Sequence, residues 1–244
     1  MSRRFTNGLS FRGVYTWSKT LDDGDSVNGT TSANAPALVS NPYDIKADWG
    51  PATFDVRNVG VISVVYDLPF GRGKQFANSY TGFGNAMISG WSVDSIVTLL
   101  NGFPFTAQLS YNPSNNGDTR NPVRPFNNPN FTGDPILGTP TQWYNPAFFL
   151  QPPANSGFWG NATRDNLVGP GLATWDFSAV KNTTLHERLS LQFRAEIFNI
   201  LNRANFNTPS LITFTPTGVS GTAGAITSTS TTSRQVQFGL KLLW

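Results

Sequence analysis

The side chains most able to do chemistry are few in this chain and do not combine into a recognisable site. His186 is the only histidine and lies beside Glu187 in a tight turn, so no histidine pair exists for zinc and no Ser-His-Asp set is indicated. The loop at 71–74 reads Gly-Arg-Gly-Lys but lacks the spacing of a phosphate-binding loop. Asp22, Asp23 and Asp25 lack the spacing and the final glutamate of an EF-hand calcium loop. The sequence therefore predicts no enzyme, no cofactor and no metal site.

A second group of candidate residues is aromatic and lies within one long loop. Its members are Trp143, Tyr144, Phe148, Phe149, Phe158 and Trp159. Aromatic rings in a loop either stack on a ligand such as a sugar or pack against neighbouring chain. The sequence leaves both roles open for these six residues, and packing is the commoner of the two.

The composition narrows the class of protein. Charged residues make up only 13% of the chain, against roughly 25% in an ordinary soluble domain. Aromatic residues also reach 13%, yet the mean hydropathy is −0.23 and no stretch approaches the ~18 apolar residues of a membrane helix. The net charge of +3 is scattered, which argues against a nucleic-acid partner. Low charge, many aromatics and weak hydropathy together indicate a membrane β-barrel, whose strands alternate between lipid-facing and lumen-facing residues.

Alternation of apolar and polar residues predicts an all-β fold with six strands. These lie near residues 3–20, 54–69, 86–110, 172–184, 188–200 and 234–244. The clearest alternation divides the last two strands into two faces. We expect the lipid side to carry Leu189, Leu191, Phe193, Ile197, Phe238, Leu240, Leu242 and Trp244. We expect the lumen side to carry Arg188, Gln192, Arg194 and Glu196.

Loop lengths predict how the strands are connected. The connections at 20–52, 111–171 and 201–233 are long, whereas those at 71–85 and 185–187 are shorter. Long loops on one side and short turns on the other are typical of outer-membrane barrels, so we expect one antiparallel up-and-down meander. The loop at 111–171 holds more than half of the 17 prolines and shows no periodic segment. Six strands are too few to close a barrel, which leaves two unpaired edges that lipid does not tolerate.

The strand sequences resemble a known family. GLSFRGVYTWSKTLDDG, FDVRNVGVISVVYDLPFGRGK, GWSVDSIVTLLNGFPFT, NLVGPGLATWDFSAVKNTTL, RLSLQFRAEIFNILNRANF and RQVQFGLKLLW, in this order, resemble the C-terminal barrel strands of TonB-dependent outer-membrane receptors. The likeness is closest to the Oar-like branch, which carries an N-terminal carboxypeptidase-regulatory-like domain. Such receptors have a 22-stranded barrel filled by a plug and import bulky nutrients such as siderophores or oligosaccharides.

The resemblance implies what this chain contributes and where. Residues 1–244 would supply the last six strands in the outer membrane of a Gram-negative bacterium, without the plug or the first sixteen strands. Membrane lipid would surround the strands, and the energy-supplying TonB complex would act only through the missing plug. Expressed alone, such a segment would expose sheet edges and an apolar face, so we expect it to aggregate rather than to persist as a soluble monomer.

The resemblance also implies a role for the last strand. Outer-membrane barrels end in a strand that the barrel-assembly machinery recognises by a polar residue, a glycine, a hydrophobic residue and a final aromatic. Gln237, Gly239, Leu242 and Trp244 fit these four places. An aromatic residue at this point suits the membrane interface.

Two other classes of protein remain open from the sequence. One is a small outer-membrane porin or adhesin that closes its barrel by oligomerising. The other is a soluble carbohydrate-binding β-sandwich, whose strands also alternate but are joined by Greek-key crossings.

Overall fold

The main feature of the molecule is a single antiparallel sheet. A computed structural model describes residues 2–4, 8–24, 40–41, 43–117, 123–186 and 189–244. Seven strands form this sheet: β1 (Ser2–Arg4), β2 (Leu9–Trp17), β3 (Asn58–Asp67), β4 (Trp91–Leu100), β5 (Leu172–His186), β6 (Leu189–Phe198) and β7 (Gln235–Leu243). Their order in the sheet is their order in the chain.

This strand order confirms the predicted antiparallel meander. Each of the strands β2 to β6 pairs with the next one along the chain. A Greek-key sandwich would place non-consecutive strands side by side, so the meander argues against that alternative. Five of these strands have 9 or 10 residues and β5 has 15. A tilted strand of about 9–11 residues is long enough to cross a bilayer.

The prediction of one strand from residue 3 to residue 20 is wrong. The segment forms two strands, β1 and β2, which pair antiparallel with Arg4 opposite Ser10. Gly8, at φ +78°, lies in the left-handed region that glycine adopts readily. In the sequence it follows Asn7, and asparagine and glycine are both common in turns. The alternation that begins at Leu9 does not mark this turn, because Ser2, Arg3 and Arg4 before it are all polar and have no period of their own.

The predicted strand from 86 to 110 is also too long. Residues Gly82–Ile88 form an α-helix, and β4 begins at Trp91. Gly90, at φ +74°, separates the two, and its carbonyl oxygen accepts a 2.9 Å hydrogen bond from the Asn182 amide. Any side chain at this position would collide with the Asn182 carbonyl oxygen. The strand ends at Leu100, and the chain then enters a different part of the structure.

The long connections lie at one end of the sheet, as predicted. Because consecutive strands are antiparallel, the segments 18–57, 101–171 and 199–234 leave from the same end. We call this the loop end and the opposite one the turn end. The turn end carries the helix and the tight connection between β5 and β6.

The long connections contain regular structure that the sequence did not predict. Short strands occur at Leu21–Asp22, Gly50–Pro51, Pro104–Phe105, Gln108–Leu109, Phe126–Asn127, Ile136–Thr139, Gln142–Tyr144, Phe149–Leu150, Leu167–Val168, Ile212–Thr215 and Gly218–Val219. Single 3₁₀ turns occur at Ile45–Asp48 and Pro146–Phe148. Most of the short strands pair within their own connection, but Gln108–Leu109 pairs with Ile212–Thr215 and so joins the connections 101–171 and 199–234.

The buried apolar core lies in these loops rather than against the sheet. Its members are Phe105, Ala107, Leu109, Val123, Tyr144, Phe149, Ala162, Leu167 and Phe214. They come from two long connections, 101–171 and 199–234. Large apolar side chains on the sheet are by contrast widely exposed. The arrangement is the reverse of a soluble β-protein, in which the sheet itself covers the core.

Candidate membrane-facing surface and loop assembly

The register of the sheet assigns every strand residue to one of two faces. Residues directly opposite each other in an antiparallel pair point to the same side. One face carries most of the large apolar and aromatic residues of the six long strands, and we call it the apolar face, although the opposite face also carries Val59, Val61, Val65, Ile96 and Val180. The apolar face carries Leu9, Phe11, Tyr15, Trp17, Ile62, Val64, Tyr66, Trp91, Val93, Val97, Leu99, Trp175, Phe177, Leu189, Leu191, Phe193, Ile197, Val236, Phe238, Leu240 and Leu242.

The apolar side chains predicted for the lipid side share this face, except that Trp244 follows the last strand residue and has no partner in the register. Leu191 is opposite Leu242, and Phe193 is opposite Leu240. The rings of Phe193 and Phe238 stack with centroids 6.2 Å apart. Phe238 is nevertheless 70% exposed, Leu240 71% and Trp244 90%. Exposed apolar area of this extent marks a surface that another apolar phase covers.

The opposite face of β6 and β7 is mostly polar. Gln192 is opposite Lys241, Arg194 is opposite Gly239, and Glu196 is opposite Gln237. The Arg194 Nε donates to Gln192 Oε1 at 2.8 Å, and the Gln192 Nε2 donates to Asn182 Oδ1 at 2.9 Å. These positions agree with the predicted lumen side, except for Arg188, which lies outside the described residues. Apolar residues on one face and polar ones on the other are the pattern of a membrane barrel strand.

Aromatic residues cluster where the apolar face meets either end of the sheet. Tyr15, Trp17 and Trp175 lie toward the loop end, whereas Tyr66 and Trp91 lie toward the turn end. Aromatic belts of this kind occur at the two interfaces of a membrane. A single lysine interrupts the apolar face at the turn end. The Lys181 Nζ donates to the Ser89 carbonyl oxygen at 2.5 Å and lies 5.5 Å from the Trp91 ring centroid.

The four residues predicted for the barrel-assembly signal lie on or beside β7. Gln237 and Gly239 lie on the polar face, and Leu242 lies on the apolar face. Trp244 follows the last residue of the strand. Within the described part of the chain β7 pairs only with β6, so its other edge is unpaired. The signal role itself stays a prediction.

The six loop aromatics predicted as possible ligand contacts occupy different environments. Tyr144 and Phe149 are core residues with 0% and 2% exposure. Three others pack partly buried against this core: Trp143, Phe148 and Trp159. Phe158 is 59% exposed and lies beside the Phe126 ring, with centroids 6.5 Å apart. Phe158 is therefore the member of the group that solvent reaches most easily.

The core tyrosine is held by its hydroxyl group. The Tyr144 hydroxyl lies 2.9 Å from the Thr213 hydroxyl. Burial raises the pKa of Tyr144 to about 12, because the phenolate would be stripped of water. Tyr144 thus joins the 101–171 and 199–234 connections through both its ring and its hydroxyl group.

A cluster of buried charges joins the first and second long connections. The Arg124 Nη2 donates to Asp48 Oδ1 at 2.5 Å and to the Ser40 hydroxyl at 2.5 Å. Asp48 also accepts from the Ser40 amide at 2.8 Å. Arg124 is 2% exposed and Asp48 3%. Burial lowers the pKa of Arg124 in spite of its carboxylate partner, which shows how much desolvation opposes this pair.

A second buried arginine extends the cluster toward the sheet. The Arg164 Nε donates to the Asp48 carbonyl oxygen at 2.7 Å, and its Nη2 contacts the Asp22 carboxylate. The neighbouring Asp165 accepts from the Thr106 hydroxyl at 2.8 Å. Arg164 and Asp165 are 3% and 1% exposed. Sequence reasoning missed both arginines, because isolated basic residues in loops rich in proline and asparagine give no signal of burial.

Two clefts open near the loop end of the sheet. One, of about 430 Å³, lies on the apolar face and is lined by residues that include Tyr15, Gly60, Leu99 and Arg203. The other, of about 360 Å³, is lined by residues that include the charged Asp55, Arg57 and Asp165 and the amide Asn166. Asp55 and Arg57 form a 3.1 Å ion pair at its wall.

Two further features are absent from the described residues. These residues contain no group of three or more metal-ligating His, Cys, Asp or Glu side chains. None of their helices has the length and apolarity needed to cross a membrane, and this observation has no bearing on crossing by strands.

Comparison with known proteins agrees with the geometry of the sheet. The family model described as outer membrane beta barrel domain matches residues 1–237. Neither the curated proteins nor the solved structures contain a match. The family match covers nearly the whole chain and includes all of the long strands up to the start of β7. The chain therefore belongs to the outer membrane beta barrel domain family, which points to the outer membrane as its location.

Proposed function

We propose that this chain is the C-terminal part of the barrel of a TonB-dependent receptor and that the complete protein imports bulky nutrients across the outer membrane. The observation that carries the proposal is the open meander. Six consecutive strands are long enough to cross a bilayer, yet β1 covers only part of the β2 edge, and the outer edges of β1 and β7 are unpaired within the described residues. Further strands must cover these edges in lipid, because unpaired backbone groups cost several kcal/mol each there.

The strand number favours a larger barrel. Single-chain bacterial barrels have at least about eight strands, which is more than this sheet provides. A receptor with some twenty strands and a plug supplies the missing neighbours, and β7 then closes the barrel against its first strand. In this arrangement the TonB complex contacts the plug rather than the strands described above. The barrel-assembly machinery recognises β7 through Gln237, Gly239, Leu242 and Trp244.

An oligomeric porin or adhesin is the second candidate, and the same open edges favour it. In that case a second copy of the chain covers each edge. The two candidates differ in which strand lies beside β7. In the receptor it belongs to another part of the same polypeptide, and in the oligomer it belongs to a second copy of this region.

Crosslinking in cells distinguishes the two. A photoreactive amino acid replaces Lys241 on β7, and the crosslinked peptides are identified by mass spectrometry after illumination of outer membranes. The same substitution at Ile62 in the middle of the sheet is the control, because its neighbours are β2 and β4. A crosslink from position 241 to a segment outside residues 1–244 supports the receptor. A crosslink to the same region of a second copy refutes it and supports the oligomer.

The loop end of the sheet is then the side that meets the nutrient. Of the six loop aromatics, we expect ligand contact at Phe158, because its ring is exposed. The buried charge cluster and the loop core would hold the loops in place around the barrel mouth. No reaction is proposed for this chain.

A further inference from the structure

The cleft on the apolar face is formed by one row of residues across four strands. Tyr15 on β2 is opposite Gly60 on β3, Gly60 is opposite Leu99 on β4, and Leu99 is opposite Ala173 on β5. Large and small residues alternate along this row. The gaps at Gly60 and Ala173 give the cleft its depth, and the flanking tyrosine and leucine give it apolar walls.

Polar groups border the cleft on the side of the loops. The Tyr15 hydroxyl donates to Asn58 Oδ1 at 2.6 Å, and the Asn58 Nδ2 donates to Asn101 Oδ1 at 2.6 Å. This chain of hydrogen bonds lies where the strands end. The cleft therefore has an apolar part along the strands and a polar part at the loop end.

Arg203 supplies a positive charge to the polar part. It lines the cleft and is exposed. Its backbone is fixed by Asn199, which accepts from the Arg203 amide at 3.0 Å and donates to the Arg203 carbonyl oxygen at 2.9 Å. Its guanidinium has no hydrogen-bond or ion-pair partner among the described residues. Five N–H donors are thus available beside an apolar groove.

A second arginine lies on the same loop segment. The Arg234 amide donates to Asn202 Oδ1 at 2.9 Å, and its guanidinium donates to the Ile200 carbonyl oxygen at 3.3 Å. The Ile200 amide in turn donates to the Trp175 carbonyl oxygen on β5. Both arginines therefore belong to a segment held against the loop end of β5, at the level of the aromatic belt. Cations at this level lie where lipid headgroups are found.

We propose that this cleft binds a phosphorylated lipid of the membrane leaflet that faces the long loops. An acyl chain occupies the groove over Gly60 and Ala173, and the phosphate accepts hydrogen bonds from the Arg203 guanidinium. Arginine suits this role, because its planar fork binds phosphate through two parallel hydrogen bonds. The volume of about 430 Å³ fits one headgroup with the first part of a chain. The inference rests on the membrane position of the apolar face and does not depend on TonB-coupled import.

The glycine in the row provides a direct test of the groove. A Cβ atom at Gly60 would meet only the Leu99 carbonyl oxygen, at 4.0 Å, so a side chain fits there without disturbing the backbone. Gly60→Val fills the groove and is compatible with a strand. Gly13→Val is the matched control, because Gly13 lies on the same face opposite Ile62 and does not line the cleft.

The experiment measures binding of short-chain phosphatidic acid to the complete outer-membrane protein in a neutral detergent by native mass spectrometry. We expect Arg203→Gln to weaken binding roughly tenfold, since a hydrogen bond to a charged group contributes at least that much. Gly60→Val should weaken it similarly. Gly13→Val should bind as the unmodified protein does, as should Arg12→Gln, which removes an exposed arginine from the polar face.

Three results would overturn the proposal. The first is unchanged binding in both Arg203→Gln and Gly60→Val. The second is equal binding of a neutral short-chain phosphatidylcholine, which would show that the charge of the headgroup is not recognised. The third is equally strong competition by inorganic phosphate, which would assign the site to a free anion instead of a lipid. Sedimentation and circular dichroism of each variant show that it is folded before binding is compared.

Discussion

Removal of Arg124 is expected to loosen the loop assembly while the sheet stays intact. Arg124→Met keeps much of the side-chain volume but leaves the Asp48 carboxylate buried without its cation. The two residues are only 2% and 3% exposed, so solvent cannot screen the loss. Breaking a buried pair from one side costs about 3–5 kcal/mol. The equilibrium constant for local opening of the first long connection should therefore rise more than a hundredfold, since roughly 1.4 kcal/mol corresponds to a factor of ten.

The double variant Arg124→Met with Asp48→Asn removes both charges. It therefore distinguishes the loss of the ion pair from the cost of leaving one buried charge unpaired. The asparagine side chain introduced by the second substitution keeps an acceptor for the Ser40 amide and carries no charge. Burial lowers the pKa of Arg124, so the cost of removing the two charges from water offsets much of their mutual attraction. We expect the double variant to recover most of the stability and to cost only about 1–2 kcal/mol, close to the loss of one or two hydrogen bonds.

Hydrogen exchange measured by mass spectrometry on the detergent-solubilised protein is the assay. Peptides that contain Ser40 and Val123 report on the loops, and peptides from β4 and β5 report on the sheet. Protection in the loops should fall in the single variant and return in the double variant, with the sheet unchanged. Equal protection in both variants would refute the reasoning, as would a single-variant effect below about 1 kcal/mol.

Three further predictions concern the loop core and the faces of the sheet. The pKa of Tyr144 is raised to about 12, and an unfolded tyrosine titrates near 10. The loops should therefore have their full stability below about pH 10 and lose roughly 1.4 kcal/mol per pH unit as the pH rises toward 12. Hydrogen exchange measured across this range should show this slope in the unmodified protein and not in Tyr144→Phe. Leu240→Arg places a charge on the apolar face and should cost about 2–4 kcal/mol in a lipid-refolding titration, whereas Gln237→Arg on the polar face should be nearly neutral; equal effects would contradict the assignment of faces. Trp244→Ala in the complete protein should reduce the amount of folded barrel in outer membranes, as seen by heat-modifiable mobility in gels, and should leave the affinity of the assembled fraction for its nutrient unchanged.

The strands could be predicted from the sequence because their environment repeats every two residues. The segments predicted at 172–184 and 188–200 correspond to β5 and β6 within two residues at each end. Errors arose where the backbone changes direction without a change in polarity. At Gly8 and Gly90 a single glycine with positive φ turns the chain, and neither turn changes the polarity of its neighbours enough to be seen in the sequence.

The loop assembly could not be predicted, because its contacts have no local period. Phe105, Tyr144 and Phe214 meet in one core although they are far apart in the chain. The same holds for Arg124 and Asp48, which are 76 residues apart. Only the three-dimensional path of the loops brings such residues together. The six loop aromatics were visible as a cluster in the sequence, but their different degrees of burial were not.

The position of the core predicts an unusual pattern of tolerance to substitution. On the apolar face a lipid chain adapts to whatever side chain it meets, so exchanges among leucine, valine, isoleucine and phenylalanine should be accepted at most positions. In the loop core the neighbours are fixed protein atoms, and a change of one methylene at Phe105 or Leu167 leaves a void or a clash. A saturation mutagenesis screen should find the regular strands permissive and the irregular loops restrictive. Homologues would then diverge faster in the strands than in the buried parts of the loops, which is the reverse of the usual relation between secondary structure and evolutionary rate.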